Sequence, residues 1–191
     1  MKLIFTVGML LLMSGASFAQ NLIDIDVKKS KLKWLGSSMI HFNDHYGTVD
    51  IASGTLTMVD GKISTGIFQV DMNTIKNEDG GFNESLVEHL KDEDFFDVKN
   101  FPDATIEIER VKYHSNIKVE CFANLTIKGI TNPITIFADI SVSDGKTSVQ
   151  SKFKIDRSRW NVRYGSKSFF NDLGNDAISD VITFEVLLIV K

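Results

Sequence analysis

Several residue groupings in this chain have types and spacings that could carry chemistry. His41 and His45 stand four apart, which on a helix would set two imidazoles on one face for a metal ion. Asn43, Asp44 and Gly47 argue instead for a turn, and no third ligand lies nearby in sequence, so no metal is expected. Asp92, Glu93, Asp94 and Asp97 bunch together, and paired carboxylates can serve as acid and base, but a charge run after a short helix reads as a solvated face. Gly145-Lys146-Thr147 resembles the end of a phosphate-binding loop, yet Ile140 occupies the place of the first glycine and the tripeptide opens a strand. There is no Gly-x-Ser-x-Gly elbow and no glycine-rich dinucleotide fingerprint, so no cofactor is expected. His89 falls late in the helix, where the helix dipole favours a cation, and His114 beside a turn should be exposed. Asp156-Arg157-Ser158-Arg159-Trp160 places two arginines and a large ring at the end of a strand. It reads as an Asp156–Arg157 surface pair with a ring over the barrel end, or as a grip on a ligand's head group.

The elements that would position these groups are mostly strands. Asn83 to Lys91 is the one helical passage: Asn83 can cap it, and Leu86 and Leu90 share a face. Phe95, Phe96, Val98 and Phe101 follow with neither helical nor strand period, closed by Pro102, and rings in that pattern must be buried against something. The passage predicts a lid on one end of a barrel. Elsewhere apolar residues alternate with polar ones: Ile23 to Lys28, Lys31 to Met39, Thr48 to Val59, Lys62 to Met72, Ala104 to Tyr113, Ile117 to Ile127, Ile134 to Val142, Thr147 to Ile155 and Val181 to Val190. Asp60-Gly61 and Asp144-Gly145 signal tight hairpins, His41 to Gly47 and Lys128 to Pro133 read as connections, and Gly54 and Gly66 offer places for the strands to coil. The expected fold is all-β: eight or nine antiparallel strands in a lipocalin-like barrel, capped at one end by the inserted helix. The inward rows mix large residues with Cys121, Ala123, Ala138 and Ser151, which leaves an apolar tube along the axis.

Residues Met1 to Ala19 have the three-part pattern of a secretory signal: Lys2, an apolar run from Leu3 to Met13, and Ser17-Phe18-Ala19 before Gln20. Cleavage after Ala19 predicts a periplasmic or secreted domain spanning 20–191, with no stable membrane insertion thereafter. The 191-residue chain carries 21 Lys plus Arg against 25 Asp plus Glu, and loss of Lys2 makes it more acidic. Without a basic stripe, nucleic acid is not an expected partner. The single cysteine, Cys121, excludes an intramolecular disulfide and lies in phase with buried apolar residues.

Four stretches together resemble the YceI-like family of exported lipid-binding domains: His45-Tyr46-Gly47-Thr48-Val49; His89 to Asp97 with Phe101-Pro102; Leu125-Thr126-Ile127-Lys128-Gly129-Ile130-Thr131-Asn132-Pro133; and Ile155-Asp156-Arg157. Trp160 to Ser166 with Ser168-Phe169-Phe170 resembles a branch common in Bacteroidetes-type bacteria. The resemblance implies an eight-stranded lipocalin-like barrel that holds an isoprenoid or other long amphipathic chain. Candidate lining residues are then Phe68, Val70, Cys121, Ala123, Leu125, Ile136, Ala138, Phe153 and Ile155, with His45, Arg157 and Trp160 towards the head group. Two other readings stay open: an envelope enzyme using His45 or His89 with a carboxylate, and a sealed barrel that serves as a partner surface. A homodimer is also open.

Overall fold

Alternating apolar residues meet a common core only if their strands pair side by side, and among the described residues the alternating runs form strands, the first of them, Ile23 to Lys28, only as far as Asp24. The computed structural model describes residues 20–37, 44–80, 83–174 and 177–191. The expected leader, Met1 to Ala19, lies outside the described residues. The elements are β1 (Gln20–Asp24), β2 (Lys31–Ser37), β3 (Asp44–Val59), β4 (Lys62–Asn77), α1 (Asn83–Lys91), β5 (Asp103–Tyr113), β6 (Lys118–Ile127), β7 (Ile130–Ser143), β8 (Lys146–Asp156) and β9 (Val181–Ile189). Strands β2 to β9 form a closed antiparallel circuit, because β9 pairs back onto β2 from Lys31↔Leu187 to Leu35↔Thr183. The ninth strand, β1, lies outside that circuit along the far half of β3, from Gln20↔Val59 to Asp24↔Thr55.

Two hairpins follow directly from their residues. Asp60-Gly61 and Asp144-Gly145 both take positive φ at each position, the conformation that a two-residue turn between right-twisted strands requires. Several boundaries differ from expectation. The first strand stops at Asp24, and the chain turns on the Asp26 carbonyl, which accepts from the amides of Lys29 and Ser30. The expected turn from His41 falls partly on residues 38–43, outside the described residues; Asp44 to Gly47 belong to β3, with Gly47 beside Trp34. Gly47 is required there, since a Cβ would lie 1.8 Å from the Lys76 carbonyl oxygen. Strand β4 runs five residues past Met72, because Lys76 and Asn77 pair with Thr48 and Gly47 beyond a bulge.

The expected connection from Lys128 to Pro133 shrinks to Lys128-Gly129, and Ile130 to Pro133 are already strand. Pro133 is tolerated because β7 pairs with β8 only from Ala138↔Ser151 to Ser143↔Lys146. Beyond that point the two strands part, and a single 3₁₀ turn, Arg157–Trp160, completes the wall. Arg159 Nη2 donates to the Pro133 carbonyl at 3.0 Å, and Asn132 Nδ2 donates to the Arg159 carbonyl at 2.8 Å.

The two barrel ends are filled differently. Beside the Asp60-Gly61 turn, Ile25, Ile51, Leu56, Ile63, Phe68 and Leu188 meet in one apolar plug. At the opposite end α1 and its aromatic continuation lie over the opening, with Leu90, Phe95 and Val98 packed among Val49, Met72, Ile127 and Trp160. Phe95 and Phe96 meet edge to face at 4.9 Å. Asp97, expected on a solvated face, is buried and accepts from Asn100 Nδ2 at 2.9 Å.

Candidate functional site

Between the plug and the lid lies a cavity of about 350 Å³, within the roughly 300–1,000 Å³ usual for small-molecule sites. Strand alternation builds its wall. The inward residues are Leu32 and Trp34 of β2, Val49 and Ile51 of β3, Phe68, Val70 and Met72 of β4, and Ile106 and Ile108 of β5. They continue as Cys121 and Leu125 of β6, Ile136 and Ala138 of β7, Ser151 and Phe153 of β8, and Ile182, Phe184 and Val186 of β9. Leu86, His89 and Leu90 of α1 with Phe95 and Phe96 form the roof. Phe153 and Phe184 face each other at 5.4 Å across β8 and β9.

Of the residues expected from sequence to meet a ligand, Phe68, Val70, Cys121, Leu125, Ile136, Ala138, Phe153, His45 and Arg157 stand in this wall. Ala123 and Ile155 are buried but do not line it. Trp160 is fully buried, its Nε1 donating to the Leu125 carbonyl at 2.9 Å, so it wedges the barrel wall and does not face the cavity. The rows from β2, β3, β5 and β9 and the roof were missed as lining. Their signal was present in the inward alternation of Leu32 with Trp34 and of Ile182 with Phe184.

The polar groups gather at the lidded end. Arg157 is 1% exposed, not the half of a surface pair. Its guanidinium donates to the carbonyls of Val162 (3.0 Å) and Ser179 (3.1 Å) and lies 3.4 Å from Asp180. Burial lowers its pKa, opposed by the charges of Asp180 and Asp156. Asp156 instead accepts from the amide of Ser158 and caps the 3₁₀ turn. His45 Nδ1 lies 2.5 Å from Asp79 Oδ2, and the other carboxylate oxygen accepts from Asn77 Nδ2 at 2.7 Å. His89 does more than face the helix dipole: its ring meets Tyr164 edge to face at 4.0 Å. The indole Nε1 of Trp34 and the His89 Nε2 are buried without a hydrogen-bond partner. Cys121 is a buried neutral thiol whose pKa burial pushes up to about 11. His114 is exposed and shares a hydrogen bond with Glu120.

Such a molecule is a closed antiparallel barrel, lidded by one helix, around an apolar compartment. The family model described as "YceI-like domain" matches residues 24–189, and the chain belongs to that family. The chain is 28% identical over 141 residues to Protein YceI of Salmonella arizonae, covering 71% of this chain and 70% of that protein. Among solved structures, Burkholderia cenocepacia BcnA superposes with a TM-score of 0.72 at 19% identity, over 88% of this chain and 100% of that one. A domain from Saccharophagus degradans described as polyisoprenoid binding gives 0.66 at 15% identity, over 92% and 99%. The Campylobacter jejuni YCEI protein gives 0.56 at 19% identity, over 99% and 91%. At these identities the structural likeness speaks for the fold.

Proposed function

We propose that this protein is an exported, non-enzymatic carrier that holds a polyisoprenoid or another long-chain amphipathic lipid in its barrel. One observation carries the reading: an apolar cavity that extends from the plug at Phe68 and Leu188 to the roof at Leu86 and Phe95. Burial contributes about 0.8 kcal/mol per CH₂, so ten or more carbons contribute roughly 8 kcal/mol or more. That is the scale of the roughly 4–15 kcal/mol lost on immobilising a guest. Membership of the YceI-like family and the likeness to the S. degradans domain support an isoprenoid tail. The Met1 to Ala19 pattern supports export to the periplasm or beyond. Among the described residues no helix is long and apolar enough to cross a membrane. The tail contacts in this reading are Phe68, Val70, Cys121, Leu125, Ile136, Ala138 and Phe153.

Filling the cavity from its wall tests the reading. Ala138→Phe places a ring in the space the tail would occupy while leaving the strand pairing of β7 intact. With a fluorescent long-chain probe, the wild type is expected to bind and the variant to bind at least tenfold more weakly at a similar melting temperature. Equal affinity for the two proteins would overturn the carrier reading.

A further inference from the structure

The charge state of the cavity wall limits what head group a guest can carry. Among the described residues that line it, Arg157 is the one formally charged side chain; its Nε, Nη1 and Nη2 donate to the carbonyls of Ser179, Val162 and Ile178, and Asp180 lies 3.4 Å away as its counter-charge. Among the described lining residues there is no lysine and no carboxylate. The undescribed residues 38–43, 81–82 and 175–176 contain no Lys or Arg. An anionic head group drawn into this wall would therefore lose its hydration without meeting an uncommitted cation.

What the lidded end does present is hydrogen-bonding capacity. His45 stands in the wall with Nδ1 committed to Asp79, whose side chain is 10% exposed and which is itself held by Asn77. Only Nε2 is left to meet a guest. In the neutral imidazole Nδ1–H donates to Asp79 and Nε2 accepts; in the imidazolium Nε2 donates, and Asp79 balances the charge. Trp34 Nε1 and His89 Nε2 in the same wall are also without partners.

From this we infer that the guest carries an uncharged head group able both to donate and to accept a hydrogen bond, a hydroxyl or primary amide, and that His45, oriented by Asp79, reads it. The inference rests on the carrier reading and refines it. Such a group suits either protonation state of His45, whereas a fully ionised diphosphate or carboxylate can only accept: the neutral Nε2 offers it nothing, and the imidazolium offers a donor whose charge Asp79 already balances.

The test compares geranylgeraniol with geranylgeranyl diphosphate by calorimetry on the purified mature protein, with diphenylhexatriene fluorescence as a measure of the apolar cavity alone. The alcohol is expected to bind at least tenfold more tightly than the diphosphate. His45→Leu is expected to weaken the alcohol about five- to tenfold, the scale of one hydrogen bond, relative to its effect on diphenylhexatriene. Equal or tighter binding of the diphosphate overturns the head-group inference and leaves the carrier standing. So does a His45→Leu variant that keeps full affinity for the alcohol. If neither isoprenoid nor diphenylhexatriene binds, the carrier reading falls and this inference falls with it.

Discussion

The two ends of the barrel are built from different materials. At the plugged end the strands turn back through Asp60-Gly61 and Asp144-Gly145, and the opening is filled by side chains such as Ile25, Leu56 and Phe68, all apolar. At the lidded end the chain makes long excursions, through α1 to Phe101 and from Arg157 to Asp180, and most of the inward polar groups are there: the buried Arg157, the buried ring nitrogens of Trp34 and His89, and the part-buried His45–Asp79 pair. A plug made by alternation alone needs no hydrogen-bond satisfaction. A roof made by non-repetitive chain carries backbone carbonyls that something must meet, and here Arg157 meets those of Ser179 and Val162. In the proposed carrier, head-group recognition accordingly falls to the lidded end and the plug sets the length of the compartment.

Substitutions can break this contrast. The largest effect is expected from Arg157→Met, which strips the carbonyls of Ser179 and Val162 of their donor and at once removes the cation beside Asp180, leaving that carboxylate only its hydrogen bond from Ser168. It should cost about 3–5 kcal/mol in urea denaturation; a loss under about 1 kcal/mol would show that the roof does not depend on this side chain. A second probe sits between the ends, at Cys121. Its folded pKa of about 11 lies above the reference value of 9.0, so between those two values the unfolded chain has lost a proton that the folded chain keeps. The stability from the neutral thiol is complete below about pH 9 and declines as pH approaches 11. Cys121→Ala should flatten that decline, and an unchanged slope would place the thiol in contact with water. The smallest effect belongs to the plug: Ile25→Val should cost about 0.5–1.5 kcal/mol and leave lipid affinity alone. A matching loss of affinity would mean that the ends are not independent.

Much of the strand framework, with the turns of the plugged end, was legible in the sequence because its signals are local. Asp-Gly pairs name their own turns, and Val119, Cys121, Ala123, Leu125 and Ile127 alternate without interruption, each of them buried. The helix and its aromatic continuation were legible for the same reason. The lidded end was less so, because its pairings are made across the chain. Nothing in the neighbourhood of His45 announces Asp79, 34 residues away. Arg157 looked like a surface residue beside Asp156, since adjacency in sequence competes poorly with the Val162 and Ser179 carbonyls that the fold brings to it. Trp160, a head-group candidate from sequence, is instead buried where β7 parts from β8, its Nε1 tied to the Leu125 carbonyl. Polarity hid the last residues of β4 and the first of β7, which pair at the rim, where a strand need not be apolar.

Native mass spectrometry of the mature protein isolated from its own host tests the central claim most directly. The account predicts a mass excess that matches one long-chain lipid per chain, is released by organic extraction, and is absent from Ala138→Phe. Repeated recovery of the bare polypeptide mass from both proteins would contradict it.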